Sequence, residues 1–266
     1  MKITRLSNKE QWTARWSATS SHELPFNPAK PSFREIHSKI KRFVDEKDGN
    51  NCLEVGAYPG KHLWYFHKYH NLNPWGVEYV ESAASRAQEM LNSAGVPAHM
   101  IVDDFFDLDP ADHIDTGGGD VVASFGFVEH FDEPEVAVAR HLDVTRDGGL
   151  VVISVPNHFG WNGNILKAID PEKWQQHNGM SLPDLISAFK SAGCNDVLFS
   201  AYIGHIGFWN TALYRNAKSR MGAFYPLLRG PLWIVEKLGQ WLVPNNRISS
   251  PDILIIARKN PGKRNT

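Results

Sequence analysis

From residue 51 onward, short apolar runs alternate with amphipathic stretches, and this alternation constrains the chain more than any other feature. The apolar runs fall at 51–56, 75–79, 98–102, 120–125, 149–155, 196–202 and 252–257, with the clearest helical patterns at 60–70, 81–94, 133–143 and 181–192. Parallel neighbours in a sheet need a crossover between them, usually a helix, so the alternation predicts an α/β fold with a mostly parallel sheet. Ser181 and Asp184 have the spacing of a capping box, and Gly193 suits a left-handed stop after Ala192. At 266 residues and 42% hydrophobic the chain can bury one large core. The predicted organisation is an N-terminal helical cover over 1–48, a core over 49–202, a helical insertion over 203–251 and a final core strand over 252–258. In the cover, Ile36, Ile40 and Val44 recur at four-residue steps and predict a helix over 33–44, ahead of a charged turn at 45–50.

Twenty-eight basic residues nearly balance 29 acidic ones, so no net field draws the whole molecule to nucleic acid or to an anionic surface. Two lone cysteines, Cys52 and Cys194, make neither a disulfide framework nor a zinc cluster and suit a reducing compartment. The first twelve residues are mixed polar and charged, without the basic end and apolar run of a signal peptide. The expectation is a soluble, cytoplasmic protein.

The strongest local signal is LEVGAYPG, Leu53 to Gly60, an apolar strand that ends in a glycine turn and runs into a helix. Parallel-sheet folds bind ligands beyond the carboxyl end of the first strand, so this turn is the expected ligand loop, with Gly56 and Gly60 flanking Ala57 and Tyr58. Glu54 is an acid within an apolar strand and needs a partner to be buried there. Glu78, followed by Tyr79 at the end of the second run, can accept from both hydroxyls of a ribose. In VDDFFDLDP, Val102 to Pro110, Asp104 and Phe105 offer an edge and a face to an adenine. A dinucleotide fingerprint would need glycines at positions 58 and 61, which hold Tyr58 and Lys61, and this disfavours a nucleotide-dependent dehydrogenase.

In this order of signals, residues 50 to 200 resemble the class I S-adenosylmethionine (AdoMet)-dependent methyltransferases. The resemblance implies a Rossmann-like, seven-stranded, mostly parallel sheet flanked by helices, with AdoMet as cofactor. Glu54, Gly56 and Gly60 match the family's first motif, while Tyr58 replaces its middle glycine. By the same resemblance Glu78 holds the ribose, Asp104 and Phe105 the adenine, and SFGFVEHF, with Ser124, Phe125, Glu129 and His130, is the segment beside the methionine and the acceptor. Arg146 to Asn157 looks like the family's glycine turn and fifth strand, and Ser181 to Phe199 like its last helix and sixth strand.

Histidine has an ordinary pKa near 6.5 and can remove a proton from a hydroxyl or ammonium acceptor at neutral pH. His130 is the first candidate base, with Glu129 beside it to position the loop, and His158 and His177 after the fifth strand are the alternatives. Glu129, His130 and His177 resemble part of the metal site of small-RNA 2′-O-methyltransferases, but that pattern needs a further glutamate where this chain has Gly126, so no metal is expected. The absence of an N/D-P-P-[YFW] segment after the fourth strand disfavours amino methylation of bases, and a nucleic-acid partner is not expected. The expected reaction is O-methylation of a small-molecule, glycan or lipid-linked acceptor. An N-methyltransferase and a non-catalytic AdoMet-binding protein are the alternatives.

The insertion begins polar and basic, with Arg215, Lys218 and Arg220, and turns strongly apolar over 224–243. Ile234, Val235, Leu238, Trp241 and Leu242 share a helical face, with Pro231 as the expected first residue and Pro244 as the stop. Packing on its own domain, a lid or dimer surface, and a helix at a membrane interface are the readings open to such a segment, and its few basic residues count against the last.

Overall fold

The computed structural model describes residues 3–18, 24, 26, 31–44, 50–115, 117–206 and 221–260. In it β1 (Asn51–Val55), β2 (Asn73–Val77), β3 (His99–Ile101), β4 (Gly119–Phe125), β5 (Thr145–Pro156), β6 (Val197–Ile203) and β7 (Asp252–Arg258) form a seven-stranded sheet in the order β3-β2-β1-β4-β5-β7-β6. Strands β1 to β5 pair in parallel, and β7 runs antiparallel to both β5 and β6. The helices are α1 (Lys9–Ser17), α2 (Pro31–Ile40), α3 (Lys61–His70), α4 (Glu81–Ser93), α5 (Pro134–Asp143), α6 (Trp161–Ile169), α7 (Pro171–Trp174), α8 (Leu182–Ser191) and α9 (Tyr225–Leu242).

Both faces of the sheet are covered, so its central strands carry apolar residues on both sides. Leu53 and Val55 of β1 join Val122, Ile153 and Ile255 against α5 and α8. Cys52, one residue out of phase, joins Val121, Val152 and Leu254 against α2 and α3. This period of two places Glu54 on the α3 face. In register, Val55 lies opposite both Val77 of β2 and Ser124 of β4, so three carboxyl ends finish level.

The expected capping box of α8 is present: the Ser181 N–H donates to Asp184 Oδ2 at 2.9 Å. Elsewhere the structure differs from the sequence reading. The helix expected over 33–44 spans 31–40, and 41–43 form turns after it. Strand β5 begins at Thr145 rather than 149, because Thr145 still pairs with Gly119 beyond an irregularity in the ladder. Helix α9 begins at Tyr225, six residues earlier than expected: Pro226 occupies its first turn, where a missing N–H costs nothing, and Pro231 lies inside it. Helices α1, α6 and α7 had no counterpart among the expected elements. The basic residues Arg215, Lys218 and Arg220, and positions 45–49 of the charged turn, lie outside the described residues.

Gly76 sits in β2 against Leu63 of α3. A Cβ there would lie 2.7 Å from Ala57 Cβ and 2.8 Å from both Leu63 Cδ1 and Met100 Sδ. We therefore predict that Gly76→Ala destabilises the fold by about 1–3 kcal/mol, the usual cost of overpacking. Urea unfolding of the two proteins checks this, and an unchanged midpoint would refute it.

Candidate functional site

Strand order reverses between β1 and β4, and a cavity opens beyond their carboxyl ends. That is the place where open α/β sheets leave a crevice. Of the residues singled out from the sequence, Gly56, Tyr58, Glu78, Tyr79, Asp104, Phe105, Phe125 and His130 line it. Glu54, Ala57, Gly60, Ser124, Glu129, His158 and His177 are not on its wall.

Glu54 reaches the cavity only through others. Its carboxylate Oε1 lies 2.7 Å from His62 Nδ1, and Oε2 accepts from the Leu63 N–H at 3.2 Å in the first turn of α3. The His62 ring stacks on Phe125 with centroids 3.7 Å apart, and Phe125 is part of the wall. Burial pushes the Glu54 carboxyl up and holds His62 well below 6.5, so each favours its uncharged form in this dry pair. Gly60 has φ +94°, and a Cβ there would meet Leu91 Cδ1 at 2.8 Å, so its role in this geometry is close packing of the α3 start against α4. Gly56, with φ +67°, makes the turn itself.

Glu78 follows β2, is 5% exposed, and accepts from the Val80 N–H at 3.1 Å through Oε1. Burial raises its pKa above the usual carboxylate range. Asp104 caps its own turn, accepting from the Phe106 N–H at 3.1 Å. Arg140 of α5 steadies this loop, donating from Nε to the Phe105 carbonyl at 3.0 Å and from its guanidinium to the Leu108 carbonyl.

The N-terminal segment forms a wall that sequence reasoning missed. Arg5 makes an isolated bridge with Phe131, Leu6 donates to the His130 carbonyl at 2.9 Å, and Thr4 donates to the Glu133 carboxylate. This strap places the Arg5 guanidinium 2.5 Å from Asp104 Oδ2. Helix α1 starts in an Asn8–Gln11 capping box and lays Trp12 and Trp16 against the cavity. Their rings stack at 5.2 Å, Trp12 meets the His130 ring edge-on at 4.8 Å, and Trp16 lies 4.9 Å from the Tyr58 ring. The Asn8–Gln11 spacing and the two tryptophans four residues apart were the available sequence signals.

Behind His130 the imidazoles form a row. Ring centroids are 4.7 Å apart from His130 to His177 and 4.8 Å from His177 to His158. His130 Nδ1 lies 2.8 Å from the Gln176 carbonyl and His177 Nδ1 2.6 Å from the Lys173 carbonyl. A carbonyl only accepts, so each ring holds its proton on Nδ1 and presents a lone pair at Nε2. Burial holds His130 well below 6.5, His177 at about 4 and His158 at about 3. Glu129 Oε1 is 3.9 Å from His130 Nε2, Glu129 Oε2 has no hydrogen-bond partner among the described residues, and burial pushes this carboxyl up to about 8. Among the described residues, no group of three or more His, Cys, Asp and Glu is arranged to hold a metal ion.

A mixed seven-stranded sheet with this strand order and a cavity at the switch point define a class I, Rossmann-like AdoMet-dependent methyltransferase. The family described as "Methyltransferase domain" matches residues 29–198, more than half of the chain, and the chain belongs to it. A putative sarcosine dimethylglycine methyltransferase from Galdieria sulphuraria is 14% identical with a TM-score of 0.58, covering 95% of this chain and 98% of that one. The complex between the Haloferax volcanii Trm112 methyltransferase activator and a putative methyltransferase matches at 14% identity and TM-score 0.60, over 96% of this chain and 97% of that one. Haemonchus contortus phosphoethanolamine N-methyltransferase 2 in complex with AdoMet matches at 14% identity and TM-score 0.59, over 95% of this chain and 57% of that one. No curated protein matches the chain. The protein is a methyltransferase by family.

Because Trp12 and Trp16 border the cavity, binding of S-adenosylhomocysteine is expected to change the intrinsic fluorescence. Trp12→Phe and Trp16→Phe together should remove most of that change. A full wild-type response in the double variant would show that α1 does not border the occupied site.

Proposed function

We propose that this methyltransferase acts on a hydroxyl oxygen of a small-molecule, glycan or lipid-linked acceptor, with His130 as the base. The observation that carries the reading is His130 itself: it lines the cavity, its Nδ1–H is committed to the Gln176 carbonyl at 2.8 Å, and Nε2 is left with a lone pair. An amine acceptor can lose its proton to water before reaction. A hydroxyl gains more from a nearby base in the pocket.

The chemistry of the wall supports AdoMet in the cavity. Glu78 is a buried carboxylate able to accept from a vicinal diol, and Asp104 is an acceptor beside Phe105, suited to an adenine amino group and face. Gly56 leaves the backbone open where a Cβ would approach Phe127 Cδ2 at 3.3 Å. When bound, AdoMet supplies a methyl group already activated on a cationic sulfur, so the protein's share is alignment, exclusion of water and removal of a proton. Trp12, Trp16 and Tyr58 close the aromatic side of the cavity and keep water from it. His130 Nε2 takes the proton as the acceptor oxygen gains its methyl group. The positive charge that forms on the ring then lies 3.9 Å from Glu129 Oε1, where it favours the ionised carboxylate. His177 and His158 continue the row behind His130 as further proton acceptors.

Two expectations test this. Glu78→Ala should weaken AdoMet binding by about 1–3 kcal/mol, the cost of removing a buried hydrogen-bonding partner; calorimetry that finds equal affinity removes Glu78 from the site. His130→Ala should keep cofactor affinity but lower turnover roughly 10²–10⁴-fold, read as homocysteine release across a panel of hydroxyl and amine acceptors. The sign of the pH dependence follows from the lowered His130 pKa. The ring is already unprotonated at 6.5, so turnover should persist as pH falls from 8 to 6. Half-loss centred near 6.5 would assign the base to an ordinary, solvated histidine instead.

A further inference from the structure

Helix α9 leaves an apolar surface uncovered. Leu227, Ile234, Val235, Leu238, Trp241 and Leu242 are all exposed, Trp241 at 82%, Leu242 at 77% and Leu227 at 70%. At helical spacing these six share one arc of about 120°, the width of a core-facing stripe. No charged residue falls within it: Arg229 and Glu236 pair with each other at 3.2 Å on the opposite side, and Lys237 flanks it. The helix meets its own domain elsewhere, at Gly239, its one buried residue, where a Cβ would lie 2.0 Å from Ile206 Cγ2. The arc is therefore not the face that α9 uses to pack on its own domain.

Charge separates the candidate occupants. Residues 203–251 contain Arg215, Lys218, Arg220, Arg229, Lys237 and Arg247 against the single acid Glu236, a surplus of five in a chain of net charge −1. The rest of the chain thus carries −6. Two copies of a segment this basic in sequence offer each other no charge complementarity. An anionic bilayer surface attracts this basic segment, and the indole of Trp241, which lies on the arc, suits the headgroup boundary. No described helix is long and apolar enough to cross a membrane, so the geometry is that of a helix lying on one.

The chain after α9 leads back to the loop that carries His158. Asn157 Nδ2 donates to the Arg247 and Ser250 carbonyls, each at 2.9 Å, and the Trp161 N–H donates to the Ile248 carbonyl at 3.0 Å. The segment following the helix is thus tied to the 157–161 loop, which carries His158. Two further exposed apolar side chains, Ile248 at 62% and Phe159 at 59%, stand on these joined segments.

We infer that α9 is an interfacial helix that seats this methyltransferase on the surface of an anionic bilayer. The full chain should co-sediment with vesicles of phosphatidylcholine and phosphatidylglycerol, bind pure phosphatidylcholine vesicles at least tenfold more weakly, and come off the anionic vesicles as salt is raised. The double variant Leu238→Asn, Trp241→Asn should lose at least tenfold in vesicle affinity while keeping its far-ultraviolet circular dichroism and its AdoMet affinity. Sedimentation to neither vesicle, or equal sedimentation of the variant, overturns the inference. So does a dimer in analytical ultracentrifugation that dissociates in the double variant, because the arc would then belong to a second copy. Vesicle binding is read without any acceptor, so its failure is distinguishable from failure of the proposed hydroxyl chemistry.

Discussion

The reversal of strand order at β1 is the constraint on which the rest of this structure depends. From β1 the chain builds outward through β2 and β3, and then returns to lay β4 on the other side of β1. Helix α3 covers one face of the sheet and α5 and α8 the other, so no crossover roofs the carboxyl ends of β1 and β4. The register that levels Val55, Val77 and Ser124 brings the loops after three strands to one rim. Glu78, Asp104 and the 125–131 segment meet because of that register, although they are far apart along the chain.

Desolvation governs the chemistry available at this rim. The imidazoles of His130, His158 and His177 are kept uncharged by burial, and the same burial keeps the carboxyls of Glu129 and Glu54 protonated to higher pH. Such groups are costly to bury, and fixed backbone carbonyls offset part of that cost by setting the tautomers of His130 and His177. A histidine row built this way holds lone pairs at defined atoms without charge on its rings. That suits a cofactor which brings a positive charge of its own.

Two additions to the core give it a particular character. The strap through Arg5 and the tryptophans of α1 wall one side of the cleft, beside Asp104, and α9 leaves a wide apolar arc uncovered. The first is stabilised by specific polar contacts to Asp104, Glu133 and the backbone at 130–132. The second meets its domain at Gly239, packed against Ile206.

The seven strands, the helices α3, α4, α5 and α8, and the turn at Gly56 were all legible in the sequence, because period-two and period-3.6 patterns and glycine stops are local properties. Glu78, Asp104, Phe105 and His130 could be chosen from position alone, since each lies just past a strand end. The sequence by itself therefore determined the layer architecture and which loops face the ligand. Only the tertiary structure decided that Glu54 turns to His62 rather than to the cavity, that Arg5 reaches Asp104, and that the three histidines form a row. It also decided that α9 begins before Pro231 and leaves its apolar arc in solvent. Those outcomes depend on which surfaces meet when distant segments pack. Neither residue spacing nor hydrophobic period encodes that meeting.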